Sequence, residues 1–330
     1  LLLSKYTLLE AINLGDNIFE DANVPTCIVE YQNIKAKDNY SFKYSDIRDS
    51  QDKQKEFESL STEYYDKYSL LKVPSYTFGV NPTTVSLIEK VKEKSYLIDE
   101  IALEVASGIS TGGDKVFRIS QDFVDEYILE EELLYKVLVG REINKYEINY
   151  TNHKLIYTTK SVEINQYENI LNYLNEYKDK LSNKRETKQG TLPWWCLHWS
   201  RYKELFTEDK ILIRQTADSV IATFDDSGYF SLNSTLIFKI DPQFDIDYKF
   251  AIAILNSKLT TYIYKNYTGE DGRAFAEVKP KNIRKLYIPK VEKDIQNEFA
   301  KIVDSIIELK KIGKNTSKLE CLIDKKLYAF

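Results

Sequence analysis

The hydrophobic and polar positions of this chain change their period several times, and each change predicts an element. Residues 1–11 read as the end of a helix. Two short extended runs follow, 12–19 and 24–31, parted by the polar turn Glu20-Asp21-Ala22-Asn23, and together they predict a hairpin. Residues 33–80 are polar and irregular, with 46–65 reading as an exposed helix rich in Lys, Glu and Gln; this stretch is the candidate linker. Asn81-Pro82-Thr83-Thr84 ends it, and Thr83 or Thr84 can cap a helix starting near Val85, whose Leu87, Ile88 and Val91 recur at helical spacing.

Beyond that helix, strands are expected at 115–119, 154–158, 210–216, 220–224, 234–240 and 282–288, and helices at 131–139, 162–181 and 248–264. The mixture is an α+β pattern, with a hairpin turn at Asp225-Asp226-Ser227-Gly228. After Pro289 the period becomes purely helical. Ile295, Phe299, Ile302, Val303, Ile306 and Ile307 recur at three and four, and Leu319, Leu322, Ile323 and Leu327 resume the pattern past the break Gly313-Lys314-Asn315-Thr316. An antiparallel helical hairpin is the simplest outcome.

Length and composition narrow the picture. At 330 residues the chain suits two or three units rather than one core. No apolar run is long enough to span a bilayer. The amino end, Leu1-Leu2-Leu3-Ser4-Lys5, has neither the basic leader and small-residue cleavage site of a signal peptide nor an initiator Met, so it reads as the start of an internal fragment. Cys27, Cys196 and Cys321 lie far apart, which gives neither a disulfide framework nor a Cys-x-x-Cys zinc site and fits a reducing cytoplasm. His153 and His198 lack the spacing a helix-borne metal site needs, and no metal is expected.

The net charge of −5 argues, taken whole, against a phosphate-bearing partner. Distribution reverses the argument. Residues 183–215 hold Lys184, Arg185, Lys188, Arg201, Lys203, Lys210 and Arg214 against four acids, and 265–290 hold Lys265, Arg273, Lys279, Lys281, Arg284, Lys285 and Lys290 against three.

Three stretches carry candidate chemistry. Gly108-Ile109-Ser110-Thr111-Gly112-Gly113-Asp114-Lys115 is not a nucleotide-triphosphate loop, because Asp114 intervenes before Lys115 and Val116 follows it where Ser or Thr is required. It is either a plain tight turn or a place where small residues let backbone amides approach a DNA phosphate, with Thr111 and Lys115 beside them. The polar run 182–191, with Lys184, Arg185 and Lys188, is no core element; it is either a solvated loop or a set of side chains suited to base edges. Trp194, Trp195 and Trp199 follow it and read as core.

The glycine turn, the later Gly140-Arg141-Glu142-Ile143-Asn144-Lys145-Tyr146, the run before the tryptophans, Leu255-Asn256-Ser257, and the stretch from Val278 to Pro289 together resemble the TaqI-like specificity domain of adenine-specific DNA methyltransferases. Parts of it also resemble the specificity subunits of type I restriction systems. The resemblance covers about residues 97–330. It implies DNA contacts at Thr111, Lys115, Arg141, Lys145, Lys184, Arg185, Lys188, Arg273, Lys279, Lys281 and Lys285. Gly15-Asp16-Asn17-Ile18-Phe19 and the strand after Asn23 resemble the last strands of the methyltransferase domain itself. There Phe19 would line a pocket for the flipped adenine, against the alternative of a buried strand-end phenylalanine.

The sequence has no Gly-x-Gly cofactor loop and no Asn-Pro-Pro-Tyr motif. Catalysis therefore belongs upstream. A metal-dependent nuclease built on Asp271, Glu277 and Lys279 is disfavoured, because the Asp lies too close to the other two. The expectation is an α+β chain comprising the end of a methyltransferase α/β sheet (1–34), a linker with connecting helices (35–96), a target-recognition domain (97–290) and a helical hairpin (291–330). Its implied partners are double-stranded DNA and the upstream methyltransferase domain of the same polypeptide, with no membrane. The implied cofactor, S-adenosylmethionine, belongs to the parent enzyme, with none bound by this fragment. The rival expectation is a protein-interaction module resembling a specificity subunit, which acts with a separate catalytic partner.

Overall fold

A computed structural model describes residues 5–16, 18–21, 24–37, 40–67, 82–268 and 277–329. The chain divides into two compact units, residues 1–93 with 266–269, and residues 94–265 with 270–330.

In the first unit, β1 (Thr7–Gly15), β2 (Thr26–Gln32), β3 (Ser41–Asp46) and β4 (Glu63–Asp66) form one sheet in the order β2-β1-β3-β4. A β1–β2 hairpin forms, although its first strand ends at Gly15 rather than continuing to residue 19 as expected, and β1 also pairs in parallel with β3. Residues 7–11 are strand, not helix. Leu8 and Ala11 share one core with Phe42 and Tyr44, although they are three residues apart, because the pairing with β2 shifts register between Leu8 and Glu10. A strand spacing of two plus one bulge residue mimics a helical three. Ile12 and Leu14 pack with Ile47 in a second small cluster.

The segment expected to be an irregular linker supplies β3 and β4, and its helix shrinks to Lys53–Glu58, capped by the Asp52 carboxylate on the Lys55 amide at 3.1 Å. The next helix forms as expected. It begins at Pro82, so Thr83 and Thr84 lie inside it rather than capping it.

The second unit contains β5 (Ser95–Leu97), β6 (Ala102–Ser107), β7 (Arg118–Ser120), β8 (Leu134–Leu138), β9 (Ile143–Asn144), β10 (Glu147–Ile148), β11 (His153–Ile156), β12 (Lys210–Arg214), β13 (Ala222–Asp225), β14 (Phe230–Ser231), β15 (Thr235–Ile240) and β16 (Tyr287–Pro289). Two four-stranded sheets dominate it, β14-β8-β11-β7 and the antiparallel β13-β12-β15-β6. Both face one core, where Val137, Leu155 and Phe230 meet Leu212 and Ile237. Pairs β9–β10 and β5–β16 complete it.

Several expected elements change type here. Residues 134–138 form β8, not helix; lying between β14 and β11, β8 buries Leu134, Val137 and Leu138, a spacing that imitates a helix. Residues 114–117 form one helical turn before β7, where a strand was expected to start at 115. The helix expected over 162–181 is broken into Glu168–Asn175 and Lys178–Leu181. The strand expected over 282–288 begins as the helical turn Pro280–Ile283 and becomes β16 only at Tyr287.

Asp225-Asp226-Ser227-Gly228 does turn the chain, but not as a hairpin. β13 pairs with β12 and β14 pairs in parallel with β8, so the turn carries the chain from one sheet to the other. Asp225 holds this turn by accepting the Ser227 and Tyr229 amides at 2.9 and 3.0 Å. It also faces Lys210 across the β12–β13 ladder at 2.6 Å, with both side chains fully buried.

The helix Tyr248–Leu255 runs through the interior, and Phe250 meets Phe299 of the helix Lys293–Lys311 edge to face at 5.4 Å. That helix and Ser317–Leu327 form the expected pair. Asp324 ties the pair down by accepting the Lys258 amide, at the start of the helix Lys258–Thr268, at 2.9 Å. Among the described residues, no helix is long and apolar enough to cross a membrane.

Candidate nucleic-acid interface

Two glycine turns close on one connection. The Gly108 amide donates to Thr235 O at 3.0 Å and the Ile109 amide to Ser231 O at 2.8 Å; the Gly140 amide donates to Ser234 Oγ at 2.9 Å. A Cβ on Gly108 would lie 2.3 Å from Leu232 O, and one on Gly140 would lie 2.5 Å from Ser234 O. Both are glycine because the β14–β15 backbone occupies the space of a side chain. Thr111, buried, accepts the Gly113 amide at 2.9 Å and donates to Asp114 Oδ1 at 2.5 Å. Its hydroxyl shapes the turn instead of facing outward.

Beside these turns lies an open cleft of ≈ 690 Å³ walled by Asp114, Lys115, Arg118, Gly140, Arg141, Arg214 and Ser234, among others. The sequence singled out Lys115 and Arg141 separately, 26 residues apart, and the fold brings them to one cavity. Arg118 and Arg214 join them. Arg118 is packed at 3.5 Å from the buried Glu142 and donates to Thr151 Oγ1 at 3.1 Å. Burial, followed by the neighbouring Arg141 charge, lowers its pKa, while Glu142 opposes the shift. Glu142 is itself held by the Val139 and Thr151 amides at 2.7 and 2.9 Å, so it positions Arg118 and is not part of the cleft wall. Thr216, also on the wall, bridges to Glu277, whose carboxylate stands 3.8 Å from Lys279.

The run before the tryptophans lies against the other side of the Gly108–Gly113 turn. Ser110 and Trp199 exchange backbone bonds of 2.8 and 3.2 Å, and a Cβ on Gly112 would crowd Lys184 and His198. The run is not a loop throughout. Arg185–Lys188 forms one helical turn that leaves Arg185 and Lys188 exposed, spaced to share a face. Glu186 points back, 3.1 Å from His198 Nε2.

Lys184 is turned inward, a correction to its expected place on the DNA-facing surface. Its ammonium donates to the carbonyls of Trp194 and Cys196 at 2.9 and 2.5 Å, and burial pushes its pKa down to about 8. The tryptophans divide. Trp194 and Trp195 pack on the core as expected, but Trp199 is 57% exposed, which overturns the core reading for that residue.

The remaining expected contacts are scattered. Lys145 donates to Asn256 O at 2.9 Å, closing the end of the helix Tyr248–Leu255, and so is also engaged internally. Lys281 is exposed on the turn Pro280–Ile283 and Lys285 is half-buried just after it. Arg273 and Asp271 lie outside the described residues. Phe19, in the first unit, is 58% exposed, so the buried strand-end alternative does not hold in this chain. Arg118 and Arg214 were missed as cleft residues. Arg118 had one available signal, its i+3 spacing from Lys115.

Residues 135–289 match the family model of the TaqI-like C-terminal specificity domain. Solved structures similar to the chain include the Type IIL restriction-modification enzyme MmeI in complex with DNA, at 11% identity and TM-score 0.54, covering 97% of this chain and 42% of that one. The type IIG restriction endonuclease BpuSI aligns at 12% identity and TM-score 0.43, over 92% of this chain and 39% of its own. A nuclease-deletion mutant of the Type ISP restriction-modification enzyme LlaGI, in complex with a DNA substrate mimic, aligns at 12% identity and TM-score 0.43, over 91% and 32%. At these identities only the fold shared with MmeI is shown. The chain spans less than half the length of each of these structures.

Proposed function

We propose, from the match of residues 135–289 to the TaqI-like C-terminal specificity domain, that the chain is the part of a restriction-modification enzyme that recognises double-stranded DNA. One observation supports this above the others. Four cationic side chains, Lys115, Arg118, Arg141 and Arg214, wall a single cleft with one acid, Asp114. Cations gathered on a cavity wall raise the local potential even where the whole chain is acidic, and they suit the phosphate backbone. MmeI, whose fold the chain shares, was solved with DNA, which agrees with this reading.

In the finer form of the proposal the parent enzyme is an adenine-specific methyltransferase that uses S-adenosylmethionine, and Phe19 stacks on the flipped base. The sequence contains neither a Gly-x-Gly loop nor an Asn-Pro-Pro-Tyr run. No step of methyl transfer is therefore assigned to these residues, and their part is to place the duplex for an upstream domain.

Affinity for random-sequence duplex pools across a salt series tests the reading. Strong salt dependence is expected. Arg141→Ala and Arg214→Ala, each leaving one phosphate without its cation, should make the slope of log affinity against log salt shallower by about 0.9 apiece. Absence of binding to every pool at low salt would sink the reading and favour a protein-interaction module.

A further inference from the structure

Trp199 is exposed but not loose. Its backbone is bonded both ways to Ser110, and its indole N–H donates to His198 Nε2 at 3.0 Å. Two residues on, Arg201 adopts φ 58°, a left-handed conformation that a non-glycine residue keeps only where its surroundings impose it. Tyr157 Oη holds the Arg201 carbonyl at 2.9 Å, and the Arg201 guanidinium stands 5.9 Å from the centre of the indole. The sole donor of the ring is therefore satisfied internally. What the ring offers to a ligand is its π surface, with a cation already beside it.

Its position adds a second argument. Trp199 pairs with Ser110, and the adjacent Ile109 bridges to Leu232, which lines the cationic cleft. About two strand spacings, roughly 10 Å, thus separate the Trp199 backbone from the cleft wall. On its other side the site abuts the turn that exposes Arg185 and Lys188, whose Glu186 carboxylate lies 3.1 Å from the His198 ring. An aromatic flanked by cations on both sides matches a strand whose phosphates are held by the cations and whose base lies on the ring.

We propose that Trp199, backed by Arg201, is a stacking subsite for a nucleobase that has left the helical stack of bound DNA. The proposal rests on the DNA-recognition reading above. A base that leaves the stack is parted from its neighbours, and the indole supplies a replacement face. Because the ring has no free donor, the subsite discriminates stacked from unstacked bases rather than one base from another.

The test compares the full chain's affinity for a fully paired duplex with that for the same duplex carrying one unpaired adenine bulge. The bulged duplex is expected to bind about tenfold more tightly, from stacking on one aromatic. Trp199→Ala should bring it down to the paired value while leaving paired affinity and its salt dependence unchanged, and Trp199→Phe should keep most of the preference. Thermal melting of both variants checks that the fold survives. Lys115→Glu or Arg141→Glu should weaken both duplexes alike. Equal affinity of the unsubstituted chain for the two duplexes, or a preference that survives Trp199→Ala, overturns the subsite while DNA recognition stands. If neither duplex binds at low salt, the DNA reading fails and takes the subsite with it.

Discussion

Lys184 is half-buried and turned inward. Its ammonium bonds two carbonyls and lies 5.7 Å from the centre of the Phe117 ring, and burial lowers its pKa to about 8. The same burial pushes the neighbouring Cys196 thiol up to about 11. Between about pH 8 and the ordinary lysine value of 10.5, the unfolded chain holds a proton that folded Lys184 has released. The unfolded state then binds more protons, so stability rises with pH through that window; below it both states are protonated and the burial penalty is fully present. The Tm of the unsubstituted chain minus that of Lys184→Met should therefore climb from about pH 8 to about pH 10. A flat difference would show that the lysine is not perturbed by its site.

At the scale of elements, the β12–β13 ladder has a charge pair where apolar residues would be ordinary. Lys210 and Asp225 face each other at full burial, and Lys210 reaches the Phe206 and Glu208 carbonyls while Asp225 holds the turn to β14. Removing one partner leaves an uncompensated buried charge. Lys210→Met is expected to cost about 3–5 kcal/mol in urea unfolding. Lys203→Met, whose exposed ammonium sits 4.6 Å over the Tyr135 ring, should cost about 1 kcal/mol or less. Equal costs would mean that the buried pair is not what holds the junction between the sheets.

The helix expected over 248–264 is instead two, Tyr248–Leu255 and Lys258–Thr268, parted at Asn256-Ser257. Ser257 bonds locally, to Ile254 O at 2.7 Å. Asn256 reaches across to β13 instead, accepting the Ala222 amide at 2.9 Å and donating to its carbonyl at 2.8 Å. A partner 34 residues away in sequence leaves no local signal.

For the whole molecule, the proposed recognition has to work against a net charge of −5. Local gathering of cations makes this possible, since charges farther apart than a Debye length of about 8 Å at physiological salt are largely screened from one another. Two classes of contact are then separable. Arg185→Ala and Lys188→Ala are expected to relax base preference in selection from random duplexes, because these side chains project together from one exposed turn. Lys281→Ala should weaken all sequences alike, as a phosphate contact does. Unchanged selection profiles in both helix-turn variants would place base reading elsewhere.

By itself the sequence determined the α+β class, the β1–β2 hairpin, the strands 153–156, 210–214, 222–225 and 235–240, and the terminal helices, because their patterns come from local period and turn chemistry. It also marked Gly108 and Gly140 as special, since a missing side chain shows in one letter. Tertiary structure decided what those glycines admit, namely the β14–β15 backbone, and it turned residues 134–138 of the apparent helix at 131–139 into a strand paired along both edges. It alone sorted the cations. Lys184, Lys145 and Lys210 turned inward to carbonyls and a carboxylate, while Lys115, Arg118, Arg141 and Arg214 met at one cleft. A charge has the same letter in either place, and only the packing around it decides whether it faces a carbonyl or a partner.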